Sequence, residues 1–171
     1  MKALVLDATP LIYLTRVGLS WVFEELEGEK YTPLRVKVEV VDGGVGKGVP
    51  DALVLEKMFQ NRVFIVKEPG DNGFVERLLE VRGLHVTDAE VIALARELDG
   101  VAVIDDEAAR KTARIFGVSY VGTPFILMRS IVQGLITKEA ARQAIREMIS
   151  SGWRCDVETY DRIMESIESI N

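Results

Sequence analysis

The chain has 171 residues, 48% of them hydrophobic and 28% charged, with a net charge of −6. That composition is globular rather than disordered and fits one compact domain with a real core, while the acidic balance excludes a general polyanion binder held by a basic surface. A single cysteine, Cys155, and a single histidine, His85, exclude an intramolecular disulfide and a Cys/His zinc site.

The opening MKALVLDATP is too short an apolar run for a signal peptide, and Asp7 interrupts it. No stretch approaches the ~18 apolar residues of a membrane span, so a cytoplasmic protein without membrane contact is expected. ALVLD (3–7) has the β-branched, turn-bounded character of a strand buried on both faces of a parallel sheet. Thr9 and Pro10 offer a cap and first-turn proline for the next helix, LIYLTRVG, and SWVFEELE follows as another. PLRVKVEVV (33–41) alternates apolar and charged residues, so its period predicts a half-exposed strand. VDGGVGKGVP (41–50) echoes a phosphate-binding loop but fails the pattern. The first glycine would fall at Val41, and Gly48 stands where Ser or Thr is needed, so a flexible loop is expected.

Beyond it PDALVLEKMF predicts a helix, VFIV (63–66) a strand and FVERLLEVRG a helix. His85 leads into a helix start and is expected to be structural. Thr87-Asp88-Ala89-Glu90 fits a capping box, with Thr87 at the cap, opening the helix DAEVIALARELDG. VAVID (101–105) is a second buried strand, EAARKTARIFG a helix, and VSYVG (118–122) a last strand. Gly100 and Gly117 stand where helix C-caps are expected. TPFILMRSIVQG, TKEAARQAIREMISSG and VETYDRIMESIESI predict two or three closing helices. Strands alternating with helices indicate an α/β domain with a mostly parallel sheet.

Asp7 ends the first strand, and Asp105 and Asp106 end a later one. In open parallel sheets ligands bind outside the carboxyl ends of the strands, so these acids face one edge. Asp88 reaches that edge only if its helix start folds back over it. Each acid alone has a structural explanation as a cap or a helix-dipole partner. Together they suit a hard divalent cation such as Mg²⁺, which takes oxygen ligands.

The pieces L-D-A-T-P-L-I-Y-L (6–14), P-x-x-V-x-x-E-V (33–40), D-A-E-V-I-A-L-A (88–95), V-I-D-D-E-A-A-R-K-x-A (103–113) and G-V-S-Y-V-G-T (117–123) resemble PIN-domain proteins, in particular their VapC-like subgroup. The resemblance implies a three-layer α/β/α fold with a mostly parallel central sheet, the nuclease domain spanning residues 1–135. Residues 136–171 would form a helical C-terminal extension of it. It further implies a metal-dependent endoribonuclease; toxin members of the family pair with an antitoxin and form a homodimer. Asp7, Glu39, Asp88 and the Asp105/Asp106 pair would hold Mg²⁺ or Mn²⁺, Asp106 taking the fourth acid position. Thr9 would support a carboxylate or a metal-bound water. Asp105 would cap the following helix or sit in the metal's outer shell. Glu39 would lie on a helix, against the alternating pattern around it, and we follow the resemblance there. Arg110, Lys111 and Arg114 follow the acids on one helix and are candidate RNA-phosphate contacts, although a solvated basic face explains them as well.

Two rival functions use the same residues. An α/β phosphatase of the dehalogenase type needs Asp-x-Asp, whereas Asp7-Ala8-Thr9 lacks the second acid. A catalytically silent PIN-like scaffold would not need every acidic position occupied. Trp153 and the apolar positions of the last helices suit either an interface or the core.

Overall fold

The structure, a computed structural model, describes residues 2–43 and 50–170. Five short strands form one sheet: β1 (Leu4–Leu6), β2 (Lys30–Thr32), β3 (Ile65–Val66), β4 (Val101–Val103) and β5 (Tyr120–Val121). Their order is β3-β2-β1-β4-β5, and every pairing is parallel. The register sets Leu4 beside Lys30 on one side and Val101 on the other, and Leu6 beside Val103. The chain winds outward from β1 through β2 to β3, then returns to the other side of β1 for β4 and β5. The switch in winding therefore falls between β1 and β4, the crevice where open parallel sheets bind ligands.

The helices are α1 (Ala8–Arg16), α2 (Val22–Glu25), α3 (Leu34–Lys37), α4 (Pro50–Gln60), α5 (Asn72–Leu79), α6 (Val86–Glu97), α7 (Glu107–Ile115), α8 (Thr123–Val132), α9 (Lys138–Ser150) and α10 (Val157–Ser169), with a π-helix over Val38–Asp42 directly after α3. The parallel sheet with helices on its faces is the three-layer α/β/α arrangement expected from the sequence. Helix α6 packs on β1 and β4, with α5 and α7 beside it. A second group joins α1 to α4 and α9, and α9 to α8 and α10. Residues 88–95 of α6 are all buried, as a helix enclosed on every side must be.

Several local expectations change. The segment 33–42 is helical, not a strand. Val36 and Val40 are buried at helical spacing while Leu34 and Val38 stay exposed, so the apparent alternation counted residues that never enter the core. Strand β2 carries no apolar run and escaped sequence reading. Its Lys30 is buried, with the amine turned back to donate to the carbonyls of Leu26 and Gly28. Helix α1 starts at Ala8 with Asp7 at the cap position, so Thr9 lies inside the first turn. Helix α6 starts at Val86 with His85 at its cap position, which displaces Thr87 from that role. Gly117 follows α7 in the left-handed conformation, φ +69°, as a C-terminal glycine should. Gly100 serves differently. Asp99 takes the positive φ after α6, and a Cβ on Gly100 would stand 2.8 Å from the Ala3 carbonyl oxygen. The loop reading of 41–50 falls largely on residues 44–49, outside the described residues.

Candidate active site

Asp7 follows β1 at once, and its backbone N–H still donates to the Val103 carbonyl (3.2 Å), so the ends of β1 and β4 are held side by side. Around that point Asp7, Glu39, His85, Thr87, Asp88 and Asp106 line one cavity of about 300 Å³. Four of the six are carboxylates, and among the described residues no lysine or arginine lines it. They come from four separate elements: the β1–α1 junction, the π-helix, the first turn of α6 and the start of α7. The folding-back required of Asp88 therefore occurs, and its side chain is buried. Glu39 sits on the π-helix, a rare local form often found at functional sites.

The electrostatics match this crowding. Burial pushes the Asp7 carboxyl up to about 7, helped by Asp88, Glu39 and Asp105 and opposed by a hydrogen bond from the Ala8 amide. Asp88 is also raised, first by burial and then by Asp106 and Glu39. The His85 backbone amide and ring pull it the other way. That backbone contact is half of a capping box: an acid at the third helical position returns to the amide at the cap position. The residues filling those roles are Asp88 and His85, three positions apart, not Glu90 and Thr87.

Of the two adjacent aspartates, the cap falls to Asp106 and not, as expected, to Asp105. Asp106 is the cap of α7: its Oδ1 accepts from the Ala109 amide at 2.9 Å. The same residue lines the acidic cavity. Asp105 does not cap α7. Its Oδ1 accepts from the Thr123 amide (2.9 Å) and meets Arg110 Nη2 at 3.4 Å, while Oδ2 accepts from the Thr123 hydroxyl (2.5 Å) and Trp153 Nε1 (3.2 Å). The reason is positional. Asp105 still points along the exit of β4, where the N-terminus of α8 and the α9–α10 connection meet it, whereas Asp106 has entered the turn into α7. Trp153 is accordingly a buried core residue.

The remaining candidates are distributed around the site. Thr9 is half-buried in α1 and does not line the cavity. Arg110 turns inward, donating from Nε to the Ile104 carbonyl at 3.0 Å and meeting Asp105, so its guanidinium is committed to the fold. Arg114 is exposed and donates to the Tyr120 hydroxyl at 2.7 Å, and Lys111 is exposed on the same helix. Two residues read from the sequence as local structure, His85 and the capping-box acid Glu90, are placed differently here. His85 lines the cavity, and its spacing of three from Asp88 was the available signal. Glu90 is buried two residues beyond Asp88, a burial that no local pattern announces.

As a donor set, four carboxylates with no cation among them fit a hard divalent ion, which takes oxygen ligands and would neutralise the charge that burial disfavours. Among the described residues, no three His, Cys, Asp or Glu side chains stand close enough together to hold a metal ion as placed. The fit is thus one of chemistry and location, with the carboxylates spread around the cavity wall.

A family model described as "DUF3368: PIN domain" matches residues 3–169. Among solved structures the chain is similar to a domain of a functionally unknown protein from Methanocaldococcus jannaschii DSM 2661. The two share 16% identity and a TM-score of 0.46, over 71% of this chain and 91% of that one. No curated protein matches the chain.

Proposed function

The chain belongs to the PIN-domain family, and from that premise we propose that it is a metal-dependent endoribonuclease hydrolysing RNA phosphodiester bonds. One observation carries this reading: four carboxylates from separate elements line a single cavity at the switch point of the sheet, with no lysine or arginine beside them among the described residues. Asp7, Glu39, Asp88 and Asp106 are the residues that would hold Mg²⁺ or Mn²⁺. When bound, such an ion supplies an activated water and neutralises charge on the scissile phosphate.

The chain's own groups prepare that site. Asp7, pushed up to about 7, holds its proton for much of the time near neutrality and releases it when positive charge arrives. Asp88 is oriented by the His85 amide, and Asp106 by the Ala109 amide on Oδ1. Asp105 is left out of the ligand set because both of its oxygens already accept hydrogen bonds. It holds the β4 exit in place instead. Lys111 and Arg114, exposed on α7 just beyond Asp106, are proposed contacts for RNA phosphates and would steer an anionic substrate toward an acidic protein.

The test is cleavage of single-stranded RNA with Mg²⁺ or Mn²⁺, with chelator, and in Asp7→Asn. Divalent-dependent cleavage that falls at least 100-fold in Asp7→Asn, with the fold intact, is the expected result. Equal activity in the two proteins sinks the reading. Divalent binding without cleavage of any RNA would instead favour a silent PIN-like scaffold. A toxin role, with an antitoxin partner and a homodimer, is the more specific form of the proposal. It predicts growth arrest on expression, relieved by the product of a neighbouring small reading frame.

A further inference from the structure

Glu90 is a buried acid that the cavity does not use. Its Oε1 accepts from Arg35 Nε at 3.1 Å, and its Oε2 is buried with no hydrogen-bond partner among the described residues. A buried carboxylate half satisfied in this way is a poor source of stability, because an apolar pair of similar volume commonly does as well or better. Its placement suggests another use. Glu90 lies two residues after Asp88 on α6, and Arg35 lies four residues before Glu39. The elements that carry these two cavity acids pack on different neighbours: the π-helix on α3, α4 and α1, and α6 on β1, β4, α5 and α7. The Arg35–Glu90 contact crosses from one group to the other, between residues 55 apart in sequence.

We propose that Arg35 and Glu90 are positioning residues that set the separation of Glu39 from Asp88 across the acidic cavity. The inference rests on the reading of that cavity as a metal site. Among the described residues no three carboxylates stand close enough together to hold one ion as placed, so a tie that limits their spread governs how readily they converge. An ion pair suits this task better than apolar packing. It fixes direction through the Arg35 Nε donor, and the half-exposed guanidinium leaves room for small adjustment. Groups that orient metal ligands without touching the metal commonly alter affinity about 10–100-fold when removed.

The test uses the full chain and Mn²⁺ alone, with calorimetric titration for affinity and thermal unfolding of the metal-free protein for stability. In Arg35→Met/Glu90→Leu, which removes both charges together, the metal-free protein should melt at or above the native temperature. Its Mn²⁺ affinity should fall about tenfold. Adding Glu39→Gln should cost less affinity in that background than in the native one, since a mispositioned Glu39 has less to lose. A merely structural pair would not produce that non-additivity. If the double variant does not fold, Arg35→Ala is read on Mn²⁺ affinity and on its additivity with Glu39→Gln alone, because it leaves Glu90 unpaired and should lower the melting temperature whatever its role. Native Mn²⁺ affinity in a folded variant, or strict additivity with Glu39→Gln, overturns the inference while leaving the metal site standing. If the native protein itself binds no Mn²⁺, the metal reading falls and takes this inference with it.

Discussion

Asp105 and Asp106 share a peptide bond and live in opposite electrostatic worlds. Asp105 is gripped by donors from α7, α8 and the α9–α10 connection, so its charge is balanced inside the protein. Asp106 spends one oxygen on capping α7 and turns toward a cavity shared with Asp7, Glu39 and Asp88, where no lysine or arginine among the described residues answers it. The contrast separates two uses of a carboxylate. A satisfied acid is a fastener, and losing it loosens the structure. Acids crowded together without a counter-charge cost stability until a ligand supplies one, which is the signature of a site built for binding.

The sharpest way to break this comparison is to remove the fastener. Asp105→Ala should cost about 3 kcal/mol of stability, because Arg110, Trp153 and Thr123 lose a shared charged acceptor in a largely buried place. Denaturant unfolding measures it, and a loss below about 1 kcal/mol would mean that the node is ornamental. Next comes the ligand. Saturating Mn²⁺, at about 100 times its Kd, should stabilise the native protein by about 2.7 kcal/mol and leave Asp7→Asn unmoved. An equal rise in melting temperature for both proteins would place the binding elsewhere.

A smaller effect concerns protons in the metal-free protein. Asp7 titrates near 3.8 when unfolded and near 7 when folded. Between those values the folded state holds the extra proton, so this group's contribution declines as pH rises from about 4 and levels off above about 7. Asp88 is shifted in the same direction and steepens the decline. Asp7→Asn should flatten the stability profile and gain roughly 1–2 kcal/mol at pH 8. A native profile that rises through this window would contradict the crowding. The smallest effect separates Asp106's two tasks. Asp106→Ala should cost about 1 kcal/mol through the lost cap, whereas Asp106→Asn keeps the cap. Both should weaken Mn²⁺ binding.

Legibility along the chain followed how local the cause was. Strands β1 and β4 were readable because apolar β-branched residues run unbroken into an acid. Strand β2 was not, since its lysine is hidden by carbonyl contacts that only the folded turn creates. The helix under Glu39 looked like a strand because Leu34 and Val38 are apolar yet exposed, which falsifies the period. Among the cavity acids, Asp7 and Asp106 were visible as strand-end residues. Glu39 was reached only through resemblance, and His85, expected to be structural, joins them on the cavity wall.

By itself the sequence determined an α/β chain whose acids collect near strand ends, because hydrophobic period and helix signals act over a few residues. It could not decide which acids are satisfied. The donors that hold Asp105 stand 18 and 48 positions away, and the partner of Glu90 stands 55 away. Only tertiary structure brings them within hydrogen-bonding range, and a hydrogen bond, unlike a pattern of burial, exists only at about 3 Å.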